Sequence, residues 1–163
     1  MIARLFLLLA LIGNPAWAAP FGPGRLEHLR NFPSFRVDPR HVSIWLPEIY
    51  DAKGAPYDVL YMHDGQNLFD PATSYTKVDW GVDEAATKLM REGAIRRTIV
   101  VGIWNTPKRL REYVPAKAFD RLPARYLDRV RGLYQGSPLS DLYLRFIIHE
   151  PAPPARASSS HPA

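Results

Sequence analysis

Two apolar segments with one amphipathic segment between them constrain the fold most. Residues 57–62 (YDVLYM) and 98–104 (TIVVGIW) are short and apolar, which is typical of strands buried in a parallel sheet. Between them, apolar residues recur at helical spacing, at Val82, Ala85, Ala86, Leu89 and Met90. Gly93 stands where a helix C-cap belongs. The order strand, helix, strand predicts a βαβ unit with parallel strands and a right-handed crossover.

A dense polar cluster follows the first of these strands. Its members are His63, Asp64, Gly65, Gln66 and Asn67. Trp104 and Asn105 end the second strand. Because ligands of open α/β sheets bind beyond the carboxyl ends of the strands, both groups are candidates for one functional rim.

The remaining sequence predicts an α/β fold of about four strands and two main helices. Residues 25–30 and 37–46 are predicted strands, and residues 106–138 are predicted to be irregular, with short helical turns around 115–121. A second helix is predicted from Ser140, as N-cap, to residue 150. Its expected apolar face consists of Leu142, Tyr143, Phe146 and Ile147. The strand at 98–104 needs neighbours on both sides, and the sequence offers few.

Composition narrows the function classes. The 163 residues are 47% hydrophobic, enough for one domain with a core. The net charge of +5 comes from basic residues scattered among acids, which argues against a nucleic-acid partner. The chain has no cysteine, so disulfides, thiolate metal sites and cysteine nucleophiles are excluded. His63 and Asp64 are only a pair and the other histidines are dispersed, so no metal site is predicted.

The two ends of the sequence predict segments outside the domain. Residues 1–18 combine Arg4, an apolar stretch and Ala16-Trp17-Ala18, the pattern of a cleaved signal peptide, which favours a periplasmic or secreted protein. A buried first helix is the alternative. The apolar stretch is shorter than the roughly 20 residues of a membrane span. The domain is predicted at 19–150, and the Pro/Ala/Ser-rich residues 151–163 are expected to be disordered.

Three sequence blocks, in order, resemble a known family. They are YMHDGQNLF at 61–69, DWGVDE at 79–84 and IVVGIWN at 99–105, with a shorter echo at 111–115. Together they resemble the first half of the catalytic domain in the enterochelin-esterase-like family. These proteins are α/β-hydrolases related to S-formylglutathione hydrolase (esterase D) and the mycolyltransferases. The resemblance extends loosely to about residue 150. It implies the N-terminal half of an α/β-hydrolase sheet, a small-molecule carboxylic ester as substrate, and no cofactor.

The resemblance also assigns roles to the polar cluster. It implies that the loop after this strand donates one backbone N–H of the oxyanion hole, from Gln66. Gly65 would supply a flexible turn and Asp64 would brace the loop from within. His63 could be a general base, but the family's catalytic histidine comes last in the chain. A structural or substrate-lining role is therefore favoured for His63, as a lining role is for Asn67.

Further residues near the rim keep two interpretations open. Trp80 could shape a substrate pocket or could be a core tryptophan at a helix start, and packing is favoured. Trp104 and Asn105 present the same alternatives, with function somewhat better supported. The group Arg109, Arg111 and Glu112 is expected to be solvated or to brace a loop.

The catalytic serine is the missing element. No G-x-S-x-G nucleophile elbow occurs in the 163 residues, and no later histidine stands in a suitable context. The sequence therefore predicts a chain that is inactive alone, either a truncated esterase or a genuine short protein. An open sheet edge would then favour self-association. The alternative function is a non-catalytic carbohydrate- or siderophore-binding module.

Overall fold

A mixed four-stranded sheet organises the molecule. The computed structural model describes residues 23–151, so the predicted signal peptide and most of the predicted tail lie outside the described residues. The strands stand in the order β1-β2-β4-β3. They are β1 (Arg25–Phe32), β2 (Arg40–Leu46), β3 (Asp58–His63) and β4 (Thr98–Ile103). The helices are α1 (Val82–Arg91), α2 (Arg109–Tyr113), α3 (Ala116–Phe119), α4 (Ala124–Tyr134) and α5 (Ser140–His149), with a 3-10 helix at Gly65–Asn67.

The predicted βαβ unit is confirmed. β3 pairs with β4 in parallel, with Asp58 opposite Thr98 and His63 opposite Ile103, and α1 connects them. The helix ends as the sequence predicts, because Gly93 adopts the left-handed conformation with φ 70°. The parallel register brings the chain after His63 and the chain after Ile103 to the same end of the sheet.

The sheet order corrects two expectations about burial. β4 lies between β2, antiparallel to it, and β3, so it has a neighbour on each side. The expectation that few neighbours exist for it was wrong. β3, in contrast, occupies the edge of the described sheet, and Leu60 and Tyr61 are 47% and 37% exposed. An apolar run indicates that a strand can be covered, but the pairing partners decide whether it is.

Two apolar clusters cover the two faces of the sheet. One includes alternate residues of β2, such as Val42 and Ile44, packed with Tyr143 and Phe146 of α5. The other joins Trp45 and Val100 to residues that follow β3 and to α1. Its members there are Leu68, Phe69 and Ala86. In residues 23–151, no helix is long and apolar enough to cross a membrane.

The helical content departs from the prediction of two main helices. α4 forms within the segment predicted to be irregular, and none of its residues is buried. The sequence did carry a helical signal that the prediction missed, although the structure buries none of the residues concerned. The apolar residues that recur at helical spacing are Tyr126, Leu127, Val130, Leu133 and Tyr134. The structure describes five α-helices in residues 23–151.

The start of α5 also differs from expectation. Leu139 holds the N-cap position, and the Ser140 hydroxyl instead accepts a hydrogen bond from the Ala116 N–H at 2.9 Å. Ser140 thereby fastens α3 to α5. The predicted apolar face is correct at Tyr143 and Phe146, which are buried, but Leu142 is 41% exposed.

Candidate functional site

Asp64 is the hub of the polar cluster at the rim. Arg109 donates two hydrogen bonds to its carboxylate, at 2.8 and 2.7 Å, and the Asn105 side-chain amide donates a third at 2.7 Å. The Tyr113 hydroxyl adds a contact of 3.2 Å. The bonds from Arg109, with smaller contributions from Asn105 and Tyr113, lower the pKa of Asp64 although burial opposes them. Asp64 therefore ties the loop after β3 to the segment after β4.

The turn itself is made by Asp64, not by Gly65. Asp64 adopts the left-handed conformation at φ 57°, which aspartate tolerates better than most residues. Gly65 is required for a different reason. A Cβ on Gly65 would lie 2.5 Å from the backbone carbon of Gly102 on β4. The expectation of a flexible glycine is thus corrected, because Gly65 allows two backbones to touch.

Gln66 lies in the first turn of the 3-10 helix that this contact positions. The N–H groups of a first helical turn have no acceptor within their own helix, so the Gln66 amide is available as a donor. The Gln66 side-chain oxygen accepts a bond of 3.3 Å from the Asn105 N–H. Its carbonyl accepts one of 2.7 Å from the Thr73 hydroxyl. The bonds from Asn105 and Thr73 therefore fix the loop, and neither of them uses the Gln66 backbone N–H.

Asn67 and Trp80 belong to the support of the same loop. The Asn67 side chain accepts a bond from the Tyr75 N–H at 3.0 Å, and its carbonyl accepts one from the Trp80 N–H at 2.8 Å. The Trp80 residue is 54% exposed. The expectation that Trp80 packs in the core was wrong, because its backbone is anchored and its indole is not covered.

His63 lies in a cluster of aromatic rings that are tilted against it. Its ring centroid is 4.6 Å from that of Tyr113 and 5.5 Å from that of Tyr143, and its Nδ1 is 3.0 Å from the Tyr143 hydroxyl. Burial lowers the pKa of His63, and the nearby Asp64 and Arg109 act in opposite directions. Burial also raises the pKa of Tyr113 to about 12. These three rings line a cavity of about 490 Å³ between α2 and α5.

A buried ion pair adjoins this cavity, and its Glu112 is one of the lining residues. Arg40 on β2 donates two hydrogen bonds to Glu112 on α2, at 2.9 and 2.7 Å, and both side chains are at most 1% exposed. The Arg40 guanidinium also lies 5.1 Å from the ring centroid of Tyr143. Sequence reasoning missed Arg40 and expected Glu112 to be solvated or loop-bracing. It is loop-bracing, but buried. Arg111 braces as well, through a bond to the Ser137 carbonyl at 2.8 Å.

The side chains of Trp104 and Asn105 have different hydrogen-bond partners, although the two residues are adjacent in sequence. Asn105 points to the Asp64 network, whereas the Trp104 indole N–H donates to the Ser43 hydroxyl at 2.8 Å. Trp104 lines a second, smaller cavity with His28 and His41. Two cavities therefore lie near the carboxyl ends of β3 and β4, one lined by His63 and the other by Trp104.

One carboxylate cluster could hold a metal in principle. Oxygens of Asp79, Asp83 and Glu84 lie within 4.8 Å of one another. Acidic residues at a helix start are stabilised by the positive end of the helix dipole, which accounts for their presence beside α1. Nothing further at this position points to an ion.

Comparisons with known proteins now decide the family. The model of the family described as "Putative esterase" matches residues 37–150. The chain belongs to this esterase family. The match includes the Asp64 hub, the Gln66 loop and the larger cavity, whereas residues 1–36, with β1, and residues 151–163 fall outside it.

A solved structure supports the fold. The chain is similar to an IroE-like serine hydrolase from Shewanella oneidensis, with a TM-score of 0.50 and 24% identity over 77% of this chain. The chain spans 36% of the length of that hydrolase. No match was found among curated proteins. The chain is thus an esterase-family α/β structure corresponding to part of a longer hydrolase fold.

Proposed function

We propose that this chain supplies the oxyanion-hole part of a hydrolase that acts on small-molecule carboxylic esters. One observation carries the proposal. The Gln66 N–H lies beyond the carboxyl ends of two parallel strands, in a turn fixed by the Asp64 hydrogen bonds and the Gly65–Gly102 contact. Fixed donors of this kind stabilise a developing oxyanion because no reorganisation is needed during the reaction. Membership of the esterase family supports the substrate class.

We further propose that this chain alone does not hydrolyse esters. Acyl transfer in this kind of fold uses a serine in a G-x-S-x-G elbow, and the 163 residues contain none. The nucleophile and its histidine would then be supplied by polypeptide beyond this sequence. In that arrangement the Gln66 amide serves a serine that another segment provides.

Labelling of the purified chain with a fluorophosphonate tests the missing nucleophile. Such reagents react with activated serines, and mass spectrometry locates the modified residue. We expect no labelled serine and no hydrolysis of p-nitrophenyl acetate above the buffer rate. A labelled serine, with hydrolysis that is lost when that serine is replaced by alanine, would contradict the proposal.

The DNA downstream of the coding region tests the origin of the missing part. We expect it to encode, in this or another frame, an apolar strand, a G-x-S-x-G elbow, an acid and a histidine. A joined protein should then hydrolyse p-nitrophenyl acetate. In it, Asp64→Asn should lower kcat by about tenfold or more by loosening the Gln66 loop. Asp128→Asn, on the exposed face of α4, should leave kcat unchanged.

A second function remains supported by one observation. The exposed Trp80 indole and the cavity beside Trp104 suit a non-catalytic module that stacks a sugar or a catechol-type siderophore on aromatic rings. Titration of tryptophan fluorescence with a disaccharide and with a catecholate siderophore distinguishes this function. Two results together would favour the binding module. The first is saturable quenching that Trp80→Ala abolishes, and the second is a joined protein that has no esterase activity.

We propose a periplasmic or secreted location on the basis of residues 1–18. Expression of the full chain in a bacterial host, followed by N-terminal sequencing of the exported protein, should give a first residue at Ala19. Recovery of intact Met1 from the exported fraction would contradict this location.

A further inference from the structure

The smaller cavity carries an inference that the esterase proposal does not use. It measures about 180 Å³ and is lined by His28, Arg30, His41, Thr73 and Trp104. It lies at the Gln66 end of the sheet, because Trp104 follows β4 and the Thr73 hydroxyl donates to the Gln66 carbonyl. Its volume is well below the roughly 300 Å³ at which pockets for whole drug-sized ligands begin, so it suits a single small group.

A β-bulge forms one wall of this cavity. Leu29 pairs with Val42 and Phe32 pairs with Arg40, so two residues of β1 stand opposite His41 alone. These two residues are Arg30 and Asn31. Asn31 adopts the left-handed conformation at φ 48°. Bulges redirect side chains and are common beside binding sites, and this one brings Arg30 to the cavity.

Hydrogen bonding fixes the tautomer of His41. The Asn31 backbone N–H donates to His41 Nδ1 at 3.0 Å. A backbone N–H can only donate, so Nδ1 is the acceptor nitrogen of the ring. The ring proton of His41 therefore resides on Nε2, and that N–H is the group His41 can offer to a ligand.

His28 contacts a hydroxyl, that of Ser43, instead of a backbone N–H. The indole N–H of Trp104 can only donate, so the Ser43 oxygen accepts it at 2.8 Å. His28 Nδ1 lies 3.0 Å from that oxygen. A hydroxyl oxygen can accept two hydrogen bonds and donate one, so Nδ1 either donates to Ser43 or accepts from it. When Ser43 donates to Nδ1, the His28 proton resides on Nε2. Ser43 is 1% exposed, so this serine–histidine contact orients the histidine and offers no nucleophile to solvent.

The cavity consequently offers donors. The His41 Nε2–H and the Arg30 guanidinium carry hydrogen, and so does His28 Nε2 when Ser43 donates to His28 Nδ1. The Thr73 hydroxyl hydrogen is directed to the Gln66 and Asp70 carbonyls. Burial, and then the charge of Arg30, lowers the pKa of His28, whereas Asp70 raises it. The Asp70 carboxylate accepts a hydrogen bond of 2.7 Å from the Ala72 backbone N–H.

We propose that this cavity binds the carboxylate of a small organic acid, with Arg30 as the charged partner and His28 and His41 as Nε2–H donors. Arginine suits the planar carboxylate, and charge-assisted bonds of this kind are the stronger ones. The indole of Trp104 gives the acid an apolar surface to rest on, which favours an organic acid over inorganic phosphate. The site is defined by binding alone, so it stands or falls independently of the proposed esterase activity.

Titration of the full chain with benzoate tests the proposal, with benzamide as the uncharged analogue of the same shape. Long-range ¹H–¹⁵N spectra of the histidine side chains report both tautomer and binding. We expect Nε2–H tautomers at His28 and His41 before addition and saturable shifts of both rings with benzoate. Benzamide and inorganic phosphate should each bind at least about tenfold more weakly.

Charge variants complete the test. Arg30→Gln should weaken benzoate binding by about tenfold, and Arg30→Lys should weaken it less, because lysine keeps the charge but not the planar fork. Arg129→Gln, the same change on α4, should have no effect. Equal affinity for benzoate and benzamide, or equal loss in the two glutamine variants, would overturn the proposal. So would Nδ1–H tautomers, which remain measurable in the unmodified chain if a variant fails to fold.

Discussion

β4 and β3 form one parallel pair, yet they lie in different surroundings. Every residue of β4 is buried, whereas Leu60 and Tyr61 of β3 are 47% and 37% exposed. Both strands are apolar in sequence, so the difference comes from position, since β4 has β2 beside it and β3 ends the described sheet. The interior pair β2–β4 should therefore carry most of the stability, and the β3 edge most of the tendency to associate.

The buried Arg40–Glu112 pair offers the largest test of the interior side. Glu112→Ala should lower the free energy of unfolding by about 3–5 kcal/mol, because it leaves the Arg40 charge buried without its partner. Urea denaturation measures the change. Glu48→Ala, which breaks the exposed pair with Arg91, is the matched control and should cost at most about 1 kcal/mol. Equal losses of unfolding free energy in the two variants would show that the buried pair contributes no more to stability than the exposed pair.

The contact between the loop after β3 and strand β4 is the next test. Gly65→Ala should destabilise the fold by about 3 kcal/mol, because the added Cβ meets Gly102 backbone, which cannot move aside. Gly132→Ala, on α4 with nothing within 4 Å, should instead stabilise by roughly 0.5–1 kcal/mol. Thermal unfolding of both variants separates steric crowding from helix propensity. A harmless Gly65→Ala would mean that the loop is not fixed against β4.

The Asp64 hub predicts a pH dependence. Its folded pKa is lowered, so its contribution is complete above the unfolded value of about 3.9 and is lost as the pH falls through the folded pKa. Asp64→Asn should cost about 2 kcal/mol at pH 7, and the gap from the unmodified chain should close below about pH 4. Urea denaturation at several pH values measures it. A gap that stays constant down to pH 2 would contradict the role of the charged carboxylate.

The β3 edge predicts the smallest change in stability. Leu60→Lys should alter the free energy of unfolding by less than about 0.5 kcal/mol, because the side chain is half exposed. It should nevertheless reduce self-association in sedimentation experiments, since a lysine discourages pairing at an open strand edge. Leu133→Lys, an exposed leucine of α4 away from the sheet, should leave association unchanged. Equal effects would remove β3 as the contact surface.

Local sequence patterns were sufficient to predict the elements whose apolar residues follow a clear helical or strand pattern. The apolar spacing of α1, its end at Gly93 and the parallel pairing of β3 with β4 all follow from residues close in sequence. The three sequence blocks likewise indicated the esterase family, which the family match over residues 37–150 confirms. Helix α4 could also have been recognised in this way, because Leu127, Val130 and Tyr134 recur at helical spacing. Only the structure shows that this apolar stripe is not buried.

The candidate site depended on long-range contacts that no local pattern contains. The partner of Asp64 is Arg109, 45 residues away, and the partner of Arg40 is Glu112, 72 residues away. The sequence by itself determined which residues stand at the strand ends and that the polar loop lies at the rim. The tertiary structure alone decided that Gly65 touches Gly102, that β3 is the edge and that two histidines share one cavity. Side-chain pairing and strand order depend on contacts between segments that are distant in sequence, and the spacing of residues along the chain does not predict such contacts.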